Sequence, residues 1–276
     1  MKIIIAVLML LFIQMPMLHA QYFYKDIITI KQAARDLADY KQSAKHLIKI
    51  KSFEPNGIAS ENFFCEKKIN KNYTKSALYT RTDMSNQSLL ESYFNAAGLL
   101  IRSYDSSEFV VSNSYYEYNN NQQLIKTTFF SKSSDDDFVN AIKEEHQYEY
   151  DAANNLQSMM RIKNDVDTFF VAFSLDEHQN VAVEKDDKTS TTYYYYYDEQ
   201  NRLTDVVHAV DYKEKLVADY IFEYNAAGLI TQMTNTEPGS NNFIVWKYVY
   251  ENGLRTTERV FSKDGDLMGK IQYEYQ

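Results

Sequence analysis

Hydrophobic and polar residues alternate with a period of two along most of the chain, most clearly around a recurring Tyr-x-Tyr pair. Residues two apart in a strand share a face, so the two aromatics point to one side and the residue between them to the other. That intervening residue is acidic in four copies: Glu117, Glu149, Glu223 and Glu274. An aromatic face backed by a carboxylate face is typical of a half-buried β-strand.

The pair belongs to a longer repeat, because Asn or Asp follows it and an aliphatic residue comes six positions after the second aromatic. The clearest copies are Tyr116–Leu124, Tyr148–Leu156, Tyr195–Leu203 and Phe222–Ile230. With the degenerate copies, the second aromatic position falls at residues 94, 118, 150, 175, 197, 224, 250 and 275, a step of about 25 residues. That step predicts one β-hairpin per copy and an antiparallel meander overall.

The residues between the two halves of each copy predict a tight turn. Asn and Asp tolerate turn geometry and bond their own backbone. Three positions later we expect a left-handed residue, and five copies place there Gly98, Gln122, Asn154, Asn201 and Gly228. Asn replaces Gly at two of these, which accounts for part of the low glycine count of 7 in 276 residues.

A different pattern precedes the repeats. Thr29-Ile30-Lys31-Gln32 has the form of a capping box, and apolar residues follow at helical spacing: Ile30, Ala33, Leu37, Tyr40, Ala44, Leu47 and Ile48. Pro55 and Gly57 end this pattern. We therefore predict an N-terminal helical segment over residues 21–57, packed on one face or edge of the sheet.

These patterns define the predicted organisation of the chain. Residues 58–91 form an irregular β entry with strands at Asn62–Ile69 and Lys75–Thr82, and residues 92–276 form the hairpin repeats. The predicted fold class is mainly all-β, an antiparallel meander that forms a curved or rolled sheet with one N-terminal α-helix.

The first 20 residues have the form of a signal peptide. Lys2 is a short basic region, Ile3–Ile13 is an apolar run too short to span a bilayer comfortably, and Leu18-His19-Ala20 resembles a cleavage site. The mature chain would begin at Gln21, where a lipoprotein would carry cysteine. We expect an exported protein, periplasmic or extracellular, without a lipid anchor or a transmembrane segment.

The composition of the chain limits the classes of partner that it can bind. The net charge of −9 disfavours nucleic acid, whose phosphates repel an acidic protein. Cys65 is the single cysteine, so no internal disulfide forms, and we expect it to be a buried, unreactive side chain.

The repeat Tyr-x-Tyr-Asp/Asn-x-x-Gly/Asn-x-Leu resembles the YD repeat of the RHS family of bacterial surface and toxin proteins, over residues 92–276. The resemblance implies a continuous spiralling sheet, which in long members closes into a hollow shell around a toxin. Fewer than ten copies are present and the last one meets the chain end, so we expect a short member without a toxin domain. Tyr250–Tyr275 also resembles the Tyr/Gly hairpins of MORN-like proteins.

The sequence contains no motif for catalysis or cofactor binding. It has no HExxH, CxxC, phosphate-binding loop or nucleophile elbow, so we expect no enzyme, no metal and no cofactor. Asp135–Asp137 and Asp186-Asp187 are more simply solvated turns than calcium sites. An enzyme remains the minor hypothesis, with His208 paired to Asp205 or Asp211.

Three tyrosines depart from the alternation. Tyr93, Tyr194 and Tyr196 occupy the phase at which other copies carry Glu. An aromatic on the polar face stacks on a ligand or partner, or else packs under the N-terminal helix. We therefore hypothesise an exported, non-enzymatic binding or structural protein that presents an aromatic and acidic surface to a glycan, peptide or protein. The alternative is a periplasmic carrier of an apolar ligand in a half-barrel.

Overall fold

A computed structural model describes residues 21–83, 85–133, 141–189, 191–210, 215–237 and 242–276. The leader predicted over residues 1–20 and the Asp135–Asp137 turn lie outside these ranges. Helical structure begins with a π-helical segment, Phe23–Ile28, and continues as α1, Thr29–Gln42. The strands follow in the order β1 (Leu47–Phe53), β2 (Phe64–Ile69), β3 (Lys75–Thr82), β4 (Ser85–Phe94), β5 (Leu100–Ser106), β6 (Val110–Tyr118), β7 (Leu124–Ser133), β8 (Ile142–Tyr150), β9 (Leu156–Lys163), β10 (Asp167–Leu175), β11 (Val181–Asp186), β12 (Thr192–Tyr197), β13 (Leu203–Val210), β14 (Lys215–Tyr224), β15 (Ile230–Thr236), β16 (Phe243–Glu251), β17 (Leu254–Phe261) and β18 (Leu267–Tyr275).

The chain divides into two compact units. The N-terminal unit contains Tyr22–Lys51, Ser60–Phe170 and Tyr273–Gln276. The C-terminal unit contains Gln21, Ser52–Ala59 and Val171–Gln272.

The predicted antiparallel meander is confirmed, and the predicted curved or rolled sheet is wrong, because the strand order is closed. Strands pair in sequence order, and β1 pairs with both β2 and β18. Leu47 and Gln276 exchange two backbone hydrogen bonds of 3.0 and 2.8 Å. The carrier hypothesis stays a prediction. Closure pairs backbone groups that an edge strand would leave open to other chains.

Each repeat turns through the same Asx motif. The side-chain oxygen of the Asn or Asp after the aromatic pair accepts backbone N–H bonds from the residues two and four positions later, for Asn95, Asn119, Asp151, Asp176, Asp198 and Asn225. The third residue after it has a positive φ at all five predicted positions and also at Gln179. The turn prediction is therefore confirmed in detail.

A hydroxyl bond joins five of the repeats to the one before it. The second tyrosine of a copy donates to the backbone carbonyl of the aliphatic residue in the preceding copy: Tyr118 to Leu100, Tyr150 to Leu124, Tyr197 to Val181, Tyr224 to Leu203 and Tyr250 to Ile230, at 2.6–2.9 Å. Burial raises the pKa of Tyr118, Tyr150 and Tyr197, to about 12 for Tyr150, so these three phenols remain neutral donors. The bond gives tyrosine a role at this position that phenylalanine cannot fill.

A β-bulge in the returning strand accompanies each turn. The register shifts at the second aromatic, for example between Glu223 and Tyr224, so that Thr231 has no direct partner. Thr231 and the equivalent Thr204 and Thr256 donate hydroxyl bonds back to carbonyls of the outgoing strand. These bonds satisfy acceptors at the point where the bulge interrupts the ladder.

The N-terminal helix ends earlier than the sequence predicts. It ends at Gln42, and Leu47 and Ile48 belong to β1 instead. Ile48 and Ile50 are buried while Lys49 and Lys51 are exposed. This alternation has the period of a strand, and it replaces the helix that the spacing of the apolar residues predicts. The predicted capping box is also wrong, because Thr29 lies inside the helical stretch and its hydroxyl donates to the Lys25 carbonyl.

The core follows the predicted alternation. The predicted strands at 62–69 and 75–82 correspond to β2 and β3. Trp246 and Tyr248 are buried on one face of β16, as their phase predicts. Cys65 is buried, as predicted, and burial raises its pKa to about 11.

Candidate functional site

The N-terminal unit presents an aromatic row across four strands. We use this name for Tyr93 of β4, Arg102 of β5, Tyr115 of β6 and Phe130 of β7. Tyr93 pairs with Arg102, and Arg102 pairs with Tyr115, so the three side chains are direct cross-strand neighbours on one face. Phe130 contacts Tyr115 edge-on, with ring centroids 6.3 Å apart.

Arg102 joins the row by lying between two rings. Its guanidinium carbon is 5.4 Å from the centroid of Tyr93 and 5.5 Å from that of Tyr115. An Nη2–H of Arg102 also donates to Oδ1 of Asn113 at 2.8 Å, which fixes the plane of the group. Such cation–π contacts hold the rings in place at little entropic cost.

The charges beside the row are paired with each other. Lys75 lies 4.9 Å from the Tyr93 ring and 2.6 Å from a carboxylate oxygen of Glu91, while the Tyr93 hydroxyl donates to the other at 2.6 Å. The hydrogen bonds from Lys75 and Tyr93 lower the pKa of Glu91. On the same face, Lys126 and Lys143 both bond Glu145. The surface around the row is therefore polar but nearly balanced in charge.

Tyr93 lies on the face of the sheet that points away from the N-terminal helix. Tyr115 of the row is followed by Tyr116, which points to the opposite face, where Thr127 and His146 continue the register. That opposite face contacts the helical segment through Asp26. Tyr93 therefore does not pack under the N-terminal helix. Tyr115 is 40% exposed and Phe130 41% exposed, so the row has faces available to a partner.

Sequence reasoning found Tyr93 but missed its neighbours. Tyr115 has the same phase as Glu117, so the rule that selected Tyr93 also selects it. Arg102 and Phe130 carry no local signal, because only the strand register brings them beside the tyrosines.

Tyr194 and Tyr196 lie in the C-terminal unit. They point to the face opposite the buried Tyr193 and Tyr195, as predicted, and Tyr196 is 46% exposed. Tyr194 lies between Val183 and Val207 in the register, whereas Tyr196 lies opposite Asp205. No ring contact or cation–π contact of either is among those found in the described residues.

A half-buried charge network lies on the helix-facing side of the N-terminal unit. We use this name for Asp26, Glu144, His146 and Arg161. Nδ1 of His146 is 2.5 Å from Oδ2 of Asp26, and Nε2 is 2.8 Å from Oε1 of Glu144. Arg161 bonds the other oxygen of Glu144. Both imidazole nitrogens face carboxylates, so the ring is doubly protonated and donates twice.

The network shifts two pKa values in opposite directions. Burial alone would lower the pKa of His146, but attraction to Asp26 and hydrogen bonds to both carboxylates raise it to about 9. Burial alone would raise the pKa of Glu144, but hydrogen bonds from His146 and Arg161 lower it to about 2. Tyr148 adds a hydroxyl bond of 2.5 Å to Asp26, and Tyr22 packs edge-on against the imidazole. The network fastens the π-helical segment to β8 and β9.

The structure gives His208 a partner that the minor enzyme hypothesis did not name. Nδ1 of His208 lies 2.8 Å from Oδ2 of Asp219 on β14. Asp205 is three residues from His208 along β13 and therefore points to the opposite face. Asp211 lies outside the described residues. Within the part of the chain that the structure describes, no three His, Cys, Asp or Glu side chains converge as metal ligands do.

The same ranges contain no helix with the length and apolar character needed to cross a membrane.

No protein-family model matches the chain. No curated protein matches it in sequence. Among solved structures it is similar to TcdB2-TccC3 without its hypervariable C-terminal region, with 12% identity and a TM-score of 0.37 over 78% of this chain. The chain spans 12% of the length of that protein.

Two porin-like proteins are also similar to it. The one from Bacteroides uniformis has 10% identity, a TM-score of 0.38 and coverage of 84% of this chain and 98% of its own. The one from Bacteroides vulgatus has 12% identity, a TM-score of 0.32 and coverage of 84% and 99%. Membership of the YD-repeat family stays a prediction from the motifs.

Proposed function

We propose that this chain is an exported, non-enzymatic binding protein that holds an oligosaccharide against the aromatic row. The observation that carries the proposal is the position of Arg102 between Tyr93 and Tyr115, with Phe130 continuing the row. Four strands present these side chains, so the rings are held on a rigid surface rather than on a loop.

The exposure of the rings supports a binding role. Tyr115 and Phe130 are each about two-fifths exposed. An aromatic that is half exposed, fixed by its neighbours and surrounded by polar groups has an apolar face and a wet rim, as contact residues do. Tyrosine also supplies a large contact area at low conformational cost.

The balance of charge favours an uncharged partner. Lys75 pairs with Glu91, and Lys126 and Lys143 pair with Glu145, so no strong field of one sign surrounds the row. A strongly charged partner would have to break these pairs or remain uncompensated. A neutral sugar offers apolar ring faces for stacking and hydroxyls for Asn113 and the carboxylates.

The polar clusters have structural uses that support a non-catalytic role. His146, Glu144 and Arg161 bond one another and Asp26. His208 bonds Asp219, and its ring lies 5.8 Å from that of the buried Tyr193. These groups hold elements together rather than converge around an open space.

Calorimetric titration with neutral oligosaccharides of β-linked glucose and of N-acetylglucosamine tests the proposal. We expect one series to bind, and Tyr115→Ala and Phe130→Ala each to weaken it by about tenfold or more, which is about 1.4 kcal/mol. Phe109→Ala is the matched control, because Phe109 is 69% exposed and lies outside the row. Failure of every oligosaccharide to bind, or equal binding by all variants, would overturn the proposal.

A further inference from the structure

The backbone nitrogen of Gln21 points at a fully buried carboxylate in the C-terminal unit. Gln21 N–H donates to Oε1 of Glu184 at 2.9 Å, and the Tyr195 hydroxyl donates to Oε2 at 2.7 Å. Glu184 is 0% exposed and Gln21 5% exposed. Glu184 lies on β11 and Tyr195 on β12, so two paired strands form the receiving site.

This nitrogen is the one that leader removal would expose. The sequence predicts cleavage between Ala20 and Gln21. Hydrolysis of that bond consumes one water: Ala20 gains a carboxylate, and the Gln21 nitrogen becomes an amine that takes up a proton. An amide donor would thereby become a full positive charge at hydrogen-bond distance from Glu184.

The local electrostatics favour the charged form. A buried carboxylate is costly unless it is paired and hydrogen-bonded, and a charged donor compensates it better than a neutral amide does. Burial and the adjacent Glu184 charge hold the pKa of Tyr195 well above its ordinary value, so this partner stays a neutral donor. The α-ammonium would therefore supply a positive charge that Tyr195 does not.

The backbone conformation of Gln21 gives an independent reason why leader removal favours the contact with Glu184. Its φ is +118°, a conformation that residues with a side chain rarely adopt. The strain arises from the carbonyl of the preceding residue. Hydrolysis removes that carbonyl, so the conformation that aims the nitrogen at Glu184 costs less in the processed chain.

We propose that removal of the leader creates an α-ammonium group at Gln21 that forms a buried ion pair with Glu184, so that the protein becomes fully stable only after processing. The ion pair also keeps the α-amine protonated and buried. It therefore prevents the amine from attacking its own side-chain amide, the cyclisation that releases ammonia from N-terminal glutamine. This proposal rests on the predicted export and not on the oligosaccharide site.

The test compares two purified forms of the whole processed protein, one beginning at Gln21 and one with a single extra Ala before it. An exposed α-amine ordinarily reacts with acylating reagents faster than lysine does, because its pKa is lower. We expect the Gln21 amine of the folded protein to react at least about tenfold more slowly than the exposed Lys71. We also expect the extra Ala to lower the urea midpoint of unfolding.

Glu184→Gln in both forms completes a double-mutant cycle. The penalty of the extra Ala should shrink in the variant, because the charge that the α-ammonium meets is gone. Where the variant does not fold, the two forms with Glu184 intact still decide the matter. Equal midpoints for those forms, fast labelling of the Gln21 amine, a cyclised N-terminus in the folded protein, or a mature N-terminus other than Gln21 would each overturn the proposal. Oligosaccharide titration of both forms keeps the two proposals separate, since the extra residue leaves the aromatic row unchanged.

Discussion

Nδ1 of His146 lies 2.5 Å from Oδ2 of Asp26, a residue 120 positions earlier in the chain. The bond joins the π-helical segment to a strand in the middle of the repeats. Glu144 occupies the other imidazole nitrogen, so the ring is a cation held between two carboxylates. Because removal of one partner from a half-buried pair leaves the other charge uncompensated, this contact controls how firmly the helix is held.

The raised pKa of His146 predicts how the stability of the protein depends on pH. Its pKa rises from 6.5 to about 9 on folding. A raised folded-state pKa contributes stability that is complete below pH 6.5 and is lost as the pH rises through 9. The loss is roughly 3 kcal/mol by pH 10. Urea unfolding of wild type and His146→Gln from pH 6 to pH 10 should show this slope in the wild type alone; parallel curves would contradict it.

The helix contact predicts a large effect from a small substitution. Asp26→Asn keeps the size of the side chain but removes the charge that His146 and Tyr148 bond. We expect it to lower the free energy of unfolding by about 2–3 kcal/mol.

Asp36→Asn on the same helix is the matched control. The Asp36 carboxylate accepts an exposed hydrogen bond from Gln32, and its loss should cost under about 0.5 kcal/mol. Equal losses for the two substitutions in chemical denaturation would show that the network does not fasten the helix.

The inter-repeat hydroxyl bond predicts the cost of losing one oxygen atom. Tyr224→Phe removes the donor to the Leu203 carbonyl and leaves the ring in place. We expect a loss of about 1–2 kcal/mol, because a buried carbonyl loses its partner. Tyr196→Phe is the control, since its hydroxyl belongs to an exposed side chain, and should change stability by less than about 0.5 kcal/mol.

The turn geometry predicts substitutions of opposite sign. Gly228 has a φ of +77° with no atom within 4 Å of an added Cβ, so Gly228→Ala has a conformational cost alone, about 1 kcal/mol. Gln122 occupies the same turn position with a φ of +61°. Gln122→Gly should therefore be neutral or slightly stabilising. A stabilising Gly228→Ala in thermal unfolding would contradict the common turn.

Local pattern predicted the hairpins well because each one is built from neighbours in sequence. The Asn225 turn, the Gly228 position and the Tyr-x-Tyr faces all lie within a few residues of one another. Closure of the sheet was not predictable, since the pairing of Leu47 with Gln276 leaves no motif. Leu47 and Ile48 fit both periods, and the strand partner decided between them.

The candidate site likewise combines residues that the sequence reveals with residues that it does not. Tyr93 departs from the alternation and was visible in the sequence. Arg102 and Phe130 were not, because their place beside Tyr93 and Tyr115 depends on register across four strands. Asp26 and His146 are 120 positions apart in the sequence, and no local pattern indicates that they are in contact. Long-range pairing decides such contacts, and one sequence carries little information about it.

Ring-labelled tyrosine NMR during titration with the oligosaccharide tests the binding surface most directly. Tyr→Phe variants assign the signals of Tyr93, Tyr115, Tyr194 and Tyr196. If the aromatic row binds the sugar, the Tyr93 and Tyr115 ring signals shift together and saturate, while those of Tyr194 and Tyr196 stay in place. Unchanged Tyr93 and Tyr115 signals at saturating sugar, or shifts confined to Tyr194 and Tyr196, would contradict it.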